Sequence, residues 1–144
     1  MPDPTDAQAG THRAVVEAFA RALDRSDFAT ARELLAPDCT YDRGSGMLTG
    51  PDAVLESYAG SAAWAERRFD EVRYESEIVG VAGDRFTVCY TDYLLKVPGR
   101  WHRHRCEQDV WVNERALVAR IVHRDLEREA ERLEAFLHAI EAPQ

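Results

Sequence analysis

The sequence predicts an α+β fold in which three N-terminal helices pack on a highly curved antiparallel sheet, with one further helix at the C-terminus. Apolar residues recur at three- and four-residue spacing up to Phe69, and beyond Phe69 they alternate with polar ones. The alternating runs are joined by turns so short that consecutive strands must be antiparallel neighbours. Helices gathered on one side of such a sheet define the class.

The first ten residues, MPDPTDAQAG, are polar and proline-containing and read as a loose, disordered tail. From Thr11, the residues Val15, Val16, Phe19, Ala22 and Leu23 make a helical stripe, with Arg21, Asp24 and Arg25 outside it. RSD at 25–27 interrupts that helix, and Asp27 is placed to cap a second one carrying Phe28, Ala31, Leu34 and Leu35. Pro37 ends the second helix, because the residue before a proline disfavours the helical region. CTYDR (39–43) reads as a short strand and GSGMLTG (44–50) as a glycine-rich loop at a pocket rim. Pro51 suits the first turn of a third helix, which buries Val54, Leu55, Tyr58, Ala62, Ala65 and Phe69.

Strands follow over about 71–82, 85–97, 100–113 and 116–124, with turns at AGD, PG and NER. The last helix starts at Leu126 and carries Leu133, Phe136, Leu137 and Ile140 on one side. Residues 11–125 therefore form one domain, and 126–144 add a helix and a tail. Strands this long twist, and a bent sheet wrapped over helices leaves a cone whose wide end side chains do not fill. That hollow is the default place for a ligand.

A net charge of −8 opposes general attraction to nucleic acid or to an anionic membrane. No apolar run approaches the ~18 residues of a membrane span, and the N-terminus has no charged-then-apolar signal pattern. Cys39, Cys89 and Cys106 form no CxxC pair and read as free thiols of a cytoplasmic protein. The basic run RWHRHR divides its charges between two strand faces, which weakens it as a nucleic-acid stripe. No phosphate-binding loop, dinucleotide fingerprint or nucleophile elbow occurs.

The stretch AVVEAFARALDRSDFATARELLAPDCTYDRGSGMLTGPDAVLESY resembles the opening of the nuclear transport factor 2-like superfamily, especially its SnoaL-like (polyketide cyclase-like) branch. ALVARIVHRDL is similar to that branch's final strand, so the resemblance covers roughly residues 12–126. It implies a cone-shaped pocket, a homodimer, and cofactor-independent proton transfer on a small apolar ring compound by a lyase, isomerase or cyclase. The fold also hosts non-catalytic ligand-binding and assembly modules. In cyclases of the branch an acidic residue late in the final strand is the acid/base, and His123 stands at the matching position. In the isomerases an aspartate after the first strand is the base, and Arg43 is the nearest match here, with Asp42 one position away on the other face.

Alternation places His102, His104, Cys106, Gln108, Val110 and Val112 on one face of the 100–113 strand, and Trp101, Arg103, Arg105, Glu107, Asp109 and Trp111 on the other. Either face could meet the hollow. In the last strand Ala119, Ile121 and His123 point inward, since Arg120 and Arg124 lie opposite. A histidine titrates near neutral pH, so His123 is the candidate acid/base, with a core histidine bonded to a backbone carbonyl as the alternative. Asp125 either orients that imidazole or caps the last helix. Asp92 stands in an otherwise apolar strand and needs a donor if buried, Arg105 being one candidate. Asp92, His104 and Tyr41 would position or polarise the substrate, and Arg43, Tyr58, Arg105, Gln108 and Trp111 are candidate ligand contacts. His102 and His104 could bind a metal only with a third ligand such as His123, and a hydrogen-bonded polar row is the preferred reading. An open hollow with His123 beside a carboxylate would favour chemistry. Plugging by Trp101, Trp111 or Phe86 would favour a binding module.

Overall fold

The computed structural model describes residues 4–96 and 98–141. Its elements are α1 (Pro4–Asp24), α2 (Phe28–Glu33), β1 (Leu35–Asp42), β2 (Met47–Thr49), α3 (Pro51–Arg68), β3 (Glu71–Ala82), β4 (Arg85–Lys96), β5 (Arg100–Val112), β6 (Val118–Asp125) and α4 (Glu129–Glu141). They form the α+β arrangement expected: helices on one side of a single six-stranded sheet of order β2-β1-β6-β5-β4-β3.

Several elements differ from the sequence expectation, each for a physical reason. Helix α1 already begins at Pro4, where a loose tail is expected, since proline is tolerated in a first helical turn; residues 1–3 of that tail lie outside the described residues. Asp27 caps α2 as expected, its carboxylate accepting from the Thr30 backbone N–H at 3.2 Å. The helix stops at Glu33, however, and β1 starts at Leu35, so Leu35 is buried from a strand rather than a helix. Within the glycine-rich loop, Met47–Thr49 pair with Thr40–Asp42 to form β2. The sheet is also not wholly antiparallel, because β1 runs parallel to β6, with Thr40 opposite Arg120 and Tyr41 opposite Ile121. The three long strands β3, β4 and β5 match their expected limits, apart from Val97, which lies outside the described residues, and Asn113, which falls just past β5. Gly83 and Gly99, at φ +60° and +65°, make the hairpin turns that join them.

Alternation along these strands turns one face toward the helices, and its cross-strand rows set the architecture. Phe86, Val110, Ile121 and Tyr41 form one row of that face and belong to the main core with Val16, Phe19 and Val54. Far along the same face Leu94 joins Phe69, Ala65 and Trp64 beneath the Leu133, Phe136, Leu137 and Ile140 stripe of α4. Three rows lie between these two apolar clusters: Tyr74–Asp92–His104, Ser76–Tyr90–Cys106–Asp125 and Ile78–Val88–Gln108–His123. Their polar side chains leave space that the flanking clusters do not fill.

Helix α4 begins at Glu129 rather than Leu126, and it closes one side of this space. Glu129 is buried to 3% exposure and accepts from the Arg105 backbone N–H and Nε, both at 3.4 Å, which pins the helix start to β5. Phe136 stacks on His102 at 5.0 Å and on Phe69 at 6.1 Å. Phe136→Ala is expected to cost about 1–2 kcal/mol, since the ring is only partly buried. The loss should appear as a lower urea midpoint and as faster amide exchange confined to α4.

Candidate functional site

The rows between the two clusters enclose a cavity of about 780 Å³, walled by the inner face of β3–β6 on one side and by α1, α3 and α4 on the other. Its exposed lining residues, Arg43 just after β1 and Glu56, Gly60 and Ser61 on α3, mark its rim. Helix α3 keeps Val54, Leu55 and Ala65 buried, while its neighbouring face of Ala53, Ser57, Gly60 and Ser61 borders the opening with small side chains.

Of the residues singled out from the sequence, His123, Asp92, His104, Tyr41, Arg43, Tyr58 and Gln108 line this cavity. Arg105 and Trp111 do not. Both sit on the outer face of β5, where Arg105 pairs with Glu129 and the Trp111 ring carries the Arg120 guanidinium at 4.5 Å. Because Arg105 lies opposite Thr91 on that outer face, it is not the partner of the inward Asp92. The even-numbered face of β5 is thus the one that meets the hollow. Trp101 is exposed, Phe86 is part of the core, and neither lines the cavity.

Gln108, only 3% exposed, organises one side of the site. Tyr58 donates its O–H to Gln108 Oε1 at 2.6 Å, and the amide NH₂ donates to Tyr41 Oη at 3.0 Å and to His123 Nδ1 at 3.2 Å. His123 Nε2 lies 2.8 Å from Asp125 Oδ1. An amide that donates to Nδ1 leaves the ring proton on Nε2, where it is given to the carboxylate, so these contacts fix the tautomer. Asp125 therefore orients the imidazole and does not cap α4, which starts four residues later. The rings of Tyr41 and Tyr58 stack at 5.1 Å. Burial pushes the Tyr41 phenol up to about 12 and the Tyr58 phenol well above its ordinary value, so both remain O–H donors at neutral pH.

The other side is acidic and less satisfied. Asp92 has no hydrogen-bond partner among the described residues, and burial, with the nearby Asp24 charge, raises its carboxyl to about 6. Its cross-strand neighbour His104 is held below its ordinary value by burial, although Glu129 works against that shift from 3.9 Å. Near pH 6 the Asp92 carboxyl is thus close to half-ionised, beside an imidazole that favours its neutral form more than a free histidine does. His104 Nδ1, Tyr74 Oη, Tyr90 Oη and Asp24 Oδ1 are buried without hydrogen-bond partners among the described residues. His102 is covered by Phe136, and no cluster of three or more metal-ligating side chains occurs among the described residues.

Asp24, Tyr74, Tyr90 and Cys106 line the cavity without having been singled out as site residues. Tyr90 is two residues from Asp92 on one strand face and Tyr74 lies directly across from it, so pairing β3 with β4 would have found both. Asp24 carried no such signal. It falls outside the apolar stripe of α1, and the end of that helix brings it over β3, where Ser76 donates to its carboxylate. Burial raises the Asp24 carboxyl above the ordinary carboxylate range, against the effect of the Ser76 bond.

A family model described as the SnoaL-like domain matches residues 16–124. No curated protein matches the sequence. Among solved structures, TerC co-crystallised with polyporic acid is similar at 11% identity, covering 89% of this chain and 98% of that one with a TM-score of 0.67. A putative polyketide cyclase of Sinorhizobium meliloti is 18% identical over 77% of this chain and 94% of its own, with a TM-score of 0.61. An LEH-like epoxide hydrolase of M. tuberculosis is 20% identical over 91% and 92%, with a TM-score of 0.59. These likenesses establish the nuclear transport factor 2-like fold. No helix among the described residues is long and apolar enough to cross a membrane.

Proposed function

The chain belongs to the SnoaL-like domain family, and from that premise we propose that it is a cofactor-independent lyase, isomerase or cyclase that moves a proton on a small apolar ring compound. The observation that carries this reading is the unpartnered Asp92 carboxyl, raised to about 6 in a hollow of about 780 Å³ with apolar clusters on both sides. A general base works best when its pKa lies near the working pH, and burial brings a carboxyl there. Asp92 takes a proton from the ring compound, and the electron pair moves toward a ring oxygen. Tyr41, whose oxygen accepts from Gln108, keeps its own O–H to stabilise that oxygen. Asp92 then returns the proton to another atom, or protonates a leaving hydroxyl.

In this scheme His123 is a positioning residue. Both its ring nitrogens are engaged, and it holds Gln108, which in turn aims Tyr41 and Tyr58. His104 is the near neighbour through which Asp92 exchanges its proton. The similar structures, a putative polyketide cyclase and an LEH-like epoxide hydrolase among them, agree with small-molecule chemistry in this fold. The outer sheet face, where Trp101 is exposed, is the surface we assign to a homodimer, and sedimentation of a monomer at micromolar concentration would remove that assignment.

The test needs no knowledge of the natural substrate. Cyclic ketones such as 2-tetralone exchange their α-hydrogens in D₂O when a base removes them. Wild-type protein should accelerate this exchange over buffer, measured by proton NMR, and Asp92→Asn should not. Equal rates with both proteins across a panel of ring ketones would end the reading.

A further inference from the structure

The charges around the hollow are unevenly placed. Asp24 and Asp92 both line it, the Asp24 charge helps to raise the Asp92 carboxyl, and Asp92 has no arginine or lysine partner among the described residues. At the rim stands Arg43, two residues beyond Tyr41 on the same face of the chain. The Arg43 guanidinium contacts only the Ser57 hydroxyl, at 3.4 Å, and forms no ion pair among the described residues. Its charge is nevertheless felt at the Tyr41 hydroxyl. Glu56, on the same rim, is exposed and does not neutralise it.

Resting on the reading of this hollow as a substrate site, we propose that it accepts an amphiphilic ligand in one orientation, with an uncharged ring inward against Asp92 and His104 and an anionic substituent outward at Arg43. An anion placed inward would meet two carboxyls in a poorly hydrated site, at a high cost. The same anion at the rim meets an arginine free to form a paired, charge-assisted contact while staying partly in water. The sheet gives such a molecule an elongated shape. Asp92 on β4 and Arg43 at the end of β1 are three strands apart, about 14 Å across the strands, and Asp92 also lies four residues, about 13 Å, further along them than the Gln108–His123 row that Arg43 continues. Arg43 is then a specificity-determining residue, and Glu56 tempers it.

A matched pair of fluorescent probes tests this. 1-Anilinonaphthalene-8-sulfonate and N-phenyl-1-naphthylamine share one aromatic skeleton, and only the first carries an anion. Wild-type protein should bind both. Arg43→Gln should weaken the sulfonate probe roughly ten-fold and leave the neutral probe within about two-fold. Glu56→Gln should tighten the sulfonate probe alone, and Ser57→Trp, which fills the opening, should abolish both. If the sulfonate probe ignores Arg43→Gln while the neutral probe binds, the orientation is wrong and the ligand hollow stands. If neither probe binds, or Ser57→Trp leaves binding intact, both the hollow as a ligand site and this inference fall.

Discussion

Asp92→Asn is expected to yield a protein that is inert and yet more stable at neutral and alkaline pH. The folded-state carboxyl titrates at about 6 against an ordinary value of 3.8, so folding disfavours its charged form. A group of this kind contributes its full stability below pH 3.8 and loses it as pH rises through about 6. Above that range the ionised Asp92 burdens the native state, and a neutral amide of the same shape lifts the burden. The gain should be on the order of 1–3 kcal/mol at pH 8, reduced toward the lower figure by solvent in the cavity. It should vanish near pH 4, where both side chains are neutral. Urea melts at the two pH values read this directly. Proton transfer should fall by about 10²–10⁴. In the wild type, the rate should rise with pH through an apparent pKa of about 6. A stabilised and fully active variant would show that the buried carboxyl is an unused structural liability.

Gln108→Leu should be the most damaging single change at the site. The amide links three side chains, and leucine leaves the Tyr58 O–H without an acceptor and removes the donor from both Tyr41 and His123. A buried polar group stripped of its partner costs roughly 1–3 kcal/mol, and the three share one network, so about 2–4 kcal/mol is expected in total. Nitrogen NMR should report the second consequence: the His123 Nδ1 resonance shifts as it loses its hydrogen bond from Gln108, while Asp125 still accepts from Nε2–H. Unchanged stability together with an unchanged imidazole spectrum would mean that the network does not hold the site.

The fold was legible because it rests on period. The helical stripe to Phe69 and the alternation beyond it point to three helices and four strands, and burial of Phe19, Val54 and Ile121 follows the predicted faces. What period does not encode is pairing at a distance. Strand β2 is three residues long, too short to show alternation, and the parallel contact of β1 with β6 joins segments with no local signature in common. The same limit governed the site. Parity within β5 put His104 and Gln108 together and Arg105 and Trp111 together, but not which set faced the helices. Buried Gln108 and Val110 decide it, and their burial depends on α1 and α3 arriving from elsewhere in the chain. Asp24 lies beyond sequence reasoning for the same reason: only the angle at which its helix ends puts it over β3.

The parallel pairing of Thr40 with Arg120 also bears on how the chain reaches this state. The β3–β4–β5 meander is made of neighbours in sequence and can assemble early, whereas β1 must wait for almost the whole chain before its partner exists. Loop-closure entropy opposes that late event. During synthesis the N-terminal half therefore leaves the ribosome with an unpaired edge, and the polypeptide should commit to its native topology only once residues beyond Asp125 have emerged.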